Sequence, residues 1–182
     1  MIVYRHAPPG RPFLWETADQ PPARWHAAND GPVQYLADSP TGAWTEFLRH
    51  EAITTAEELA GVDRAIWAVE LPDTAIAAAV EPALPGAVTT GGVHTYKACR
   101  EEARRLRAAG TAALRAPSAA LVPGGGHGWR MDVGLRPAAP RDGHVLVLFG
   151  PRPDLVGWQV VETGRPDPEV LARVRHLTAT EP

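Results

Sequence analysis

The sequence predicts an α+β fold, a mixed and split β-sheet with flanking helices. Two observations lead there. Short apolar or alternating runs of strand length recur along the chain, and they are interleaved irregularly with segments of helical periodicity carrying recognisable caps, without the β-α-β rhythm of a parallel sheet. The length of 182 residues suits one domain over 1–182, large enough to bury a core.

Ile2-Val3-Tyr4-Arg5 reads as a first strand, and the proline-rich stretch from Pro8 to Pro22 as a loop wrapping the domain. Residues 32–37 (PVQYLA) have strand content, and Asp38-Ser39-Pro40 offers an N-cap with proline at the first helical position. A helix from about Pro40 to His50 follows, on which Ala43, Phe47 and His50 share a stripe and Glu46 neighbours Arg49. Residues 54–59 (TTAEEL) resemble a capping box opening a short helix, and Arg64 to Leu71 a strand. Residues 72–92 are punctuated by Pro and Gly; 93–109 form the clearest helix, with Gly110 as its C-terminal stop. Ala112–Ala116 is a strand ending at Pro117-Ser118, followed by a loop around Gly124-Gly125-Gly126 that fits a lid or a plain turn. Residues 144–149 and 155–162 complete the strands, and 167–176 a closing helix.

Composition excludes several classes. Lys and Arg number 18 against 21 Asp and Glu, so no broad positive field exists to hold nucleic acid directly. The single cysteine, Cys99, cannot make an intrachain disulfide, and the seven histidines fall into no metal-ligand spacing, so no metal site is expected. The N-terminus lacks the apolar run of a signal peptide, and no stretch is long and apolar enough to cross a membrane. A cytoplasmic protein without a membrane partner is the expectation.

Three places carry chemistry: Ala23-Arg24-Trp25; Tyr35-Leu36-Ala37-Asp38-Ser39-Pro40 running into Glu46-Phe47-Leu48-Arg49-His50; and Leu114-Arg115-Ala116-Pro117-Ser118. Singly, each fits a bland role: a surface pair, a solvated helix charge, a turn after a strand. In order, they resemble the RES family. That pattern sets Arg-Trp before a Tyr-Leu-Ala-x-Ser-Pro turn, then a helix carrying Glu and ending in His, then a distant Pro-Ser. The resemblance runs from Tyr4-Arg5 to Ser118. Two departures stand out. Pro22-Ala23 replaces the usual Gly-Gly, and GGGHGWRMDVGLRP replaces an Asn-rich stretch leading to a histidine, for which His127 is the candidate.

The resemblance implies an ADP-ribosyltransferase-like fold and a toxin that consumes NAD as substrate. The reaction releases nicotinamide with water or phosphate as acceptor of the ADP-ribosyl group, or transfers ADP-ribose to a protein target; an inactive nucleotide- or partner-binding module is the alternative from another class. It also implies a cognate antitoxin, of the DNA-binding Xre type, as partner. Breaking the nicotinamide–ribose bond passes through an oxocarbenium-like state that a carboxylate stabilises, and Glu46 is the candidate. One carboxylate suffices, because nicotinamide departs as a neutral molecule. Arg24 would grip the pyrophosphate through its planar fork, helped by Arg5. Tyr35 would offer a ring and hydroxyl to nicotinamide or its ribose, and Ser118 a hydrogen bond that positions the scissile bond. His50 is a secondary binding candidate that would equally suit the negative end of its helix.

Overall fold

Ladders between Val-, Leu- and Ile-rich strands organise the molecule, whose computed structural model describes residues 1–177. The end of the expected 1–182 domain, 178–182, lies outside the described residues. In chain order come β1 (Ile2–Ala7), β2 (Val33–Ala37), α1 (Pro40–His50), α2 (Ala56–Ala60), β3 (Arg64–Glu70), α3 (Asp73–Ala77) and α4 (Gly86–Thr89). A 3₁₀ turn, Val93–Thr95, leads into α5 (Tyr96–Ala108), followed by β4 (Ala113–Pro117), β5 (Trp129–Met131), β6 (Leu135–Pro137), β7 (His144–Phe149) and β8 (Gly157–Gly164). The described chain closes on a 3₁₀ helix, Pro168–Arg173.

Six strands form one sheet in the order β4-β7-β2-β1-β3-β8, and β5-β6 stands apart as a hairpin. The α+β class holds. The sequence predicts a mixed sheet, whereas each ladder of the six-stranded sheet is antiparallel, and among the described residues parallel pairing is confined to a single bridge, Val80 with Leu114. Among the described residues, no helix bridges two neighbouring strands in the way a parallel crossover requires.

Alternation along β2 assigns the two faces. Val33, Tyr35 and Ala37 pack with α1 and α5, whose inward residues are Ala43, Trp44, Phe47 and Leu48 on one and Cys99, Ala103 and Leu106 on the other. Leu36 faces the opposite way, joining Val3, Val69, Leu71, Leu146 and Leu148 beneath Phe13, Leu14 and Ile76. Phe13 and Leu14 of the Pro8–Pro22 stretch cover the second face, while Trp25 further on packs on the first, so the loop runs round the sheet in the wrapping role its prolines suggested.

Several elements differ from expectation. The Pro- and Gly-punctuated segment contains α3 and α4, each starting directly after a proline, too short to show a hydrophobic repeat. The last strand runs two residues later than read, with a register shift against β3. The closing helix is a 3₁₀ segment: Asp167 caps it, Pro168 opens it, and Val174 turns extended to bridge Leu121. The hairpin of β5 and β6 was not anticipated at all.

Helix α1 begins as its sequence dictates. Ser39 is extended, its Oγ accepts from the Gly42 N–H at 3.0 Å, and Pro40 occupies the first turn. The capping box of α2 likewise forms between Thr55 and Glu58. Replacing Ser39 by alanine is expected to lower stability by about 1 kcal/mol in urea unfolding, with an unchanged denaturant slope. An unchanged midpoint would show that the cap adds nothing.

Candidate functional site

Between α1, α5, the strand ends and the 8–24 loop lies a cavity of about 700 Å³. Its wall includes Arg5, Arg24, Tyr35, Glu46 and His50, so five of the six residues singled out in the sequence meet around one space. Ser118 does not line it. It stands directly behind Glu46, donating from Oγ to Glu46 Oε1 at 2.7 Å across 72 positions of sequence.

The Ser118 hydroxyl has a defined direction. Its oxygen accepts from the backbone N–H groups of Ala120 (3.2 Å) and Leu121 (3.1 Å), which occupy both lone pairs and leave the proton only Glu46 to meet. As it stands, Ser118 has no capacity left for a ribose or a nicotinamide. It presents one carboxylate oxygen of Glu46 to the protein, leaving Oε2 for whatever fills the cavity.

Arg24 is buried and heavily committed. Nη1 donates to Thr95 Oγ1 (3.0 Å) and the Val88 carbonyl (3.3 Å), Nη2 to the Gly91 carbonyl (2.6 Å), and the guanidinium lies over the Tyr96 ring at 4.6 Å. Three of its five N–H groups thus anchor the 88–95 segment. Arg49, which sequence reasoning noted only as a neighbour of Glu46, reaches the same carbonyl: Nη2 donates to Gly91 at 2.9 Å while Nη1 donates to the Ala119 and Arg175 carbonyls. Burial lowers the Arg49 pKa, and the nearby Arg24 charge lowers it further. Gly91 suits this crowding, since a Cβ there would lie 2.6 Å from the Ala87 carbonyl oxygen.

Tyr35 also uses its hydroxyl internally. It accepts from the Trp25 N–H (3.0 Å) and pairs with His26 Nδ1 (2.9 Å). His26 Nε2 faces the Pro21 carbonyl, which can only accept; neutral His26 therefore carries its proton on Nε2, and the Tyr35 hydroxyl donates to Nδ1. Burial pushes the Tyr35 phenol above its ordinary range and lowers His26. What Tyr35 can offer a ligand is its ring.

Arg5 is less committed. Its Nη1 donates to Gln34 Oε1 at 3.2 Å, and burial pulls its pKa down to about 10. Arg64 lies over the Phe47 ring at 4.5 Å, and Arg11 also lines the cavity; neither was marked in the sequence, where an isolated arginine on a strand or loop carries no signal. In all, the lining holds five arginines (5, 11, 24, 49 and 64) against three glutamates (16, 46 and 51), so it suits an anionic ligand with one carboxylate placed for a cationic centre. His127 stands elsewhere, accepting from Arg173 at Nδ1, and Gly126 pairs with Arg141 in a turn outside the cavity. Among the described residues, no group of His, Cys, Asp and Glu could hold a metal ion, and no helix is long and apolar enough to cross a membrane.

The profile of the RES domain matches residues 2–156. Among solved structures, the fold resembles a chain in the crystal structure of the M. tuberculosis MbcT-MbcA toxin-antitoxin complex, with a TM-score of 0.57 at 18% identity, covering 94% of this chain and 86% of that one. No curated protein matches the sequence.

His6, on the cavity wall, gives this geometry a measurable consequence. Its Nδ1 is buried with no hydrogen-bond partner among the described residues, and burial first, then the charges of Arg5, Arg64 and His50, brings its pKa down to about 3. The folded value is depressed, so between the ordinary value near 6.5 and 3 the unfolded chain binds a proton that the folded chain refuses. Stability is therefore expected to fall as pH drops below about 6, by up to roughly 1.4 kcal/mol per unit from this group, and His6→Leu should flatten that slope. Titration of His6 near 6.5 by NMR would contradict this.

Proposed function

The chain belongs to the RES domain family, and from that premise we propose that it is an enzyme consuming NAD by cleavage of the nicotinamide–ribose bond. The observation that supports this most is the Glu46 carboxylate, fixed at one oxygen by Ser118, at the wall of an arginine-rich cavity large enough for a dinucleotide. The pyrophosphate lies among Arg5, Arg11, Arg64 and the remaining N–H groups of Arg24, and Tyr35 and Tyr96 offer ring faces to the bases.

Cleavage needs little acid–base work. The C1′–N bond electrons pass to the nicotinamide ring, which leaves neutral, and Glu46 Oε2 faces the positive charge developing on the ribose. Water or inorganic phosphate then adds at C1′ and loses a proton. Glu46 and Arg24 act on the reacting molecule; Ser118 acts through Glu46, and His50 at the cavity rim assists binding. NAD is thus a substrate, as the resemblance implied.

In biological terms, we assign the protein to a toxin role with a protein antitoxin as partner, one that covers the cavity mouth and, on the resemblance, is of the DNA-binding Xre type. The similar fold of a chain from a toxin–antitoxin complex supports this.

Incubating the purified chain with NAD, with and without phosphate, and measuring free nicotinamide tests the proposal. Turnover is expected, with Glu46→Gln at least about 100-fold slower at an unchanged melting temperature. Ser118→Ala should be slower by roughly tenfold, chiefly in kcat, because the carboxylate loses the donor that fixes Oε1. No release by the wild-type chain, or normal turnover by folded Glu46→Gln protein, would overturn the assignment.

A further inference from the structure

The hairpin of β5 and β6 presents the most exposed apolar surface of the described chain. Trp129 is 59% exposed, Met131 79%, Val133 98% and Leu135 62%. Its register sets Trp129 opposite Pro137, Met131 opposite Leu135 and Arg130 opposite Arg136. Alternation then gives the ribbon two unlike faces: Trp129, Met131, Leu135 and Pro137 on one, both arginines on the other. Packing within the molecule does not account for this, as the six-stranded sheet shares no ladder with the hairpin.

The tip adds a second departure. Val133 adopts φ +47°, a left-handed conformation that β-branched residues avoid, and is followed by Gly134 at +109°. Asparagine or glycine would make this turn without strain, so an isolated monomer gains nothing from a fully exposed valine here. The base, in contrast, is firmly tied. Gly126 pairs with Arg141, Ala138 N–H donates to the Gly128 carbonyl at 2.9 Å, Arg141 is ion-paired with Asp38, and His127 accepts from Arg173. The apolar face is held out in one orientation.

We propose that this face joins two copies of the chain in solution, hairpin against hairpin about a two-fold axis. Area and shape favour this occupant. With Trp129, Met131, Val133 and Leu135 each more than half exposed, full burial of the face removes on the order of 500 Å² per copy and about 1,000 Å² in total, at the low end for a specific interface. The ribbon tapers from Trp129 at its base to Val133 at its tip, and an antiparallel two-fold lays the small end of each copy over the large end of the other. Met131 comes to lie near the axis. Arg130 and Arg136 remain on the outer faces, in water, so like charges do not meet. A membrane fits less well: Asp132 sits beside the tip, ion-paired to Arg130 at 3.4 Å, and the chain carries a net charge of −3, which anionic lipid repels.

Sedimentation velocity on the full chain at micromolar concentration tests the contact. The wild type is expected to be a dimer, and Met131→Asp a monomer with association at least about 100-fold weaker and an unchanged far-UV circular dichroism spectrum. Val133→Gly should keep or raise thermal stability while weakening the dimer by about tenfold. Met131→Cys should give a reducible covalent dimer on mild oxidation, with the buried native Cys99 as silent background. A monomeric wild type, or a dimer indifferent to Met131→Asp, overturns the proposal. A monomer that co-sediments with phosphatidylserine vesicles through this hairpin also overturns it, in favour of a lipid surface.

Discussion

A buried guanidinium that, among the described residues, hydrogen-bonds to backbone carbonyls and to no carboxylate holds the distant parts of this molecule together. Arg49 projects from α1 onto carbonyls at positions 91, 119 and 175, and Arg24 arrives from the 8–32 loop to share the first of them. Hydrogen bonds from a charged donor are each worth about 1.5–3 kcal/mol, and a buried cation stripped of them would be costly. The arrangement therefore permits few alternatives. The 88–95 segment, the strand end carrying Ser118 and the C-terminal 3₁₀ segment must converge on the α1 surface one turn beyond Glu46.

The site's division of labour follows. Groups fixed by backbone partners, namely Arg49, Ser118 and the Tyr35 hydroxyl, set geometry and have little left to give a ligand. Arg5, Arg11, Arg64 and Glu46 line the open volume, and among the described residues they are less fully engaged by hydrogen bonds. Preorganisation of this kind is what electrostatic catalysis requires, since the carboxylate need not reorient as charge develops. His6 extends the same logic: surrounded by cationic side chains and shielded from water, it stays neutral and adds no further positive charge to a wall already rich in it.

Local rules carried much of this fold. Ser39-Pro40 set the start of α1, Thr55 and Glu58 capped α2, and the apolar runs beginning at Ile2, Val33, Arg64 and His144 became neighbouring strands. The failures share a physical cause. α3 and α4 are shorter than one hydrophobic repeat, and the β5–β6 alternation carries its apolar residues on an outward face, where the usual link between periodicity and burial is lost. In the site, Arg24, Tyr35, Glu46 and Ser118 stood in recognisable motifs. Their internal partners did not, because backbone carbonyls and amides at 88, 91, 120 and 121 look the same beneath any side chain. Arg49 was visible as the i+3 neighbour of Glu46, yet its reach to three distant carbonyls is a property of tertiary structure alone.

On the proposed function, one cavity binds NAD with the ribose at Glu46 and the pyrophosphate on the arginine wall. A crystal structure of the Glu46→Gln protein with NAD bound tests it most directly. The nicotinamide ribose is expected within hydrogen-bond distance of the residue 46 side chain, with Ser118 still donating to it, and phosphate oxygens on Arg24 together with Arg5, Arg11 or Arg64. NAD seated elsewhere, or with its pyrophosphate turned away from these arginines, would contradict it.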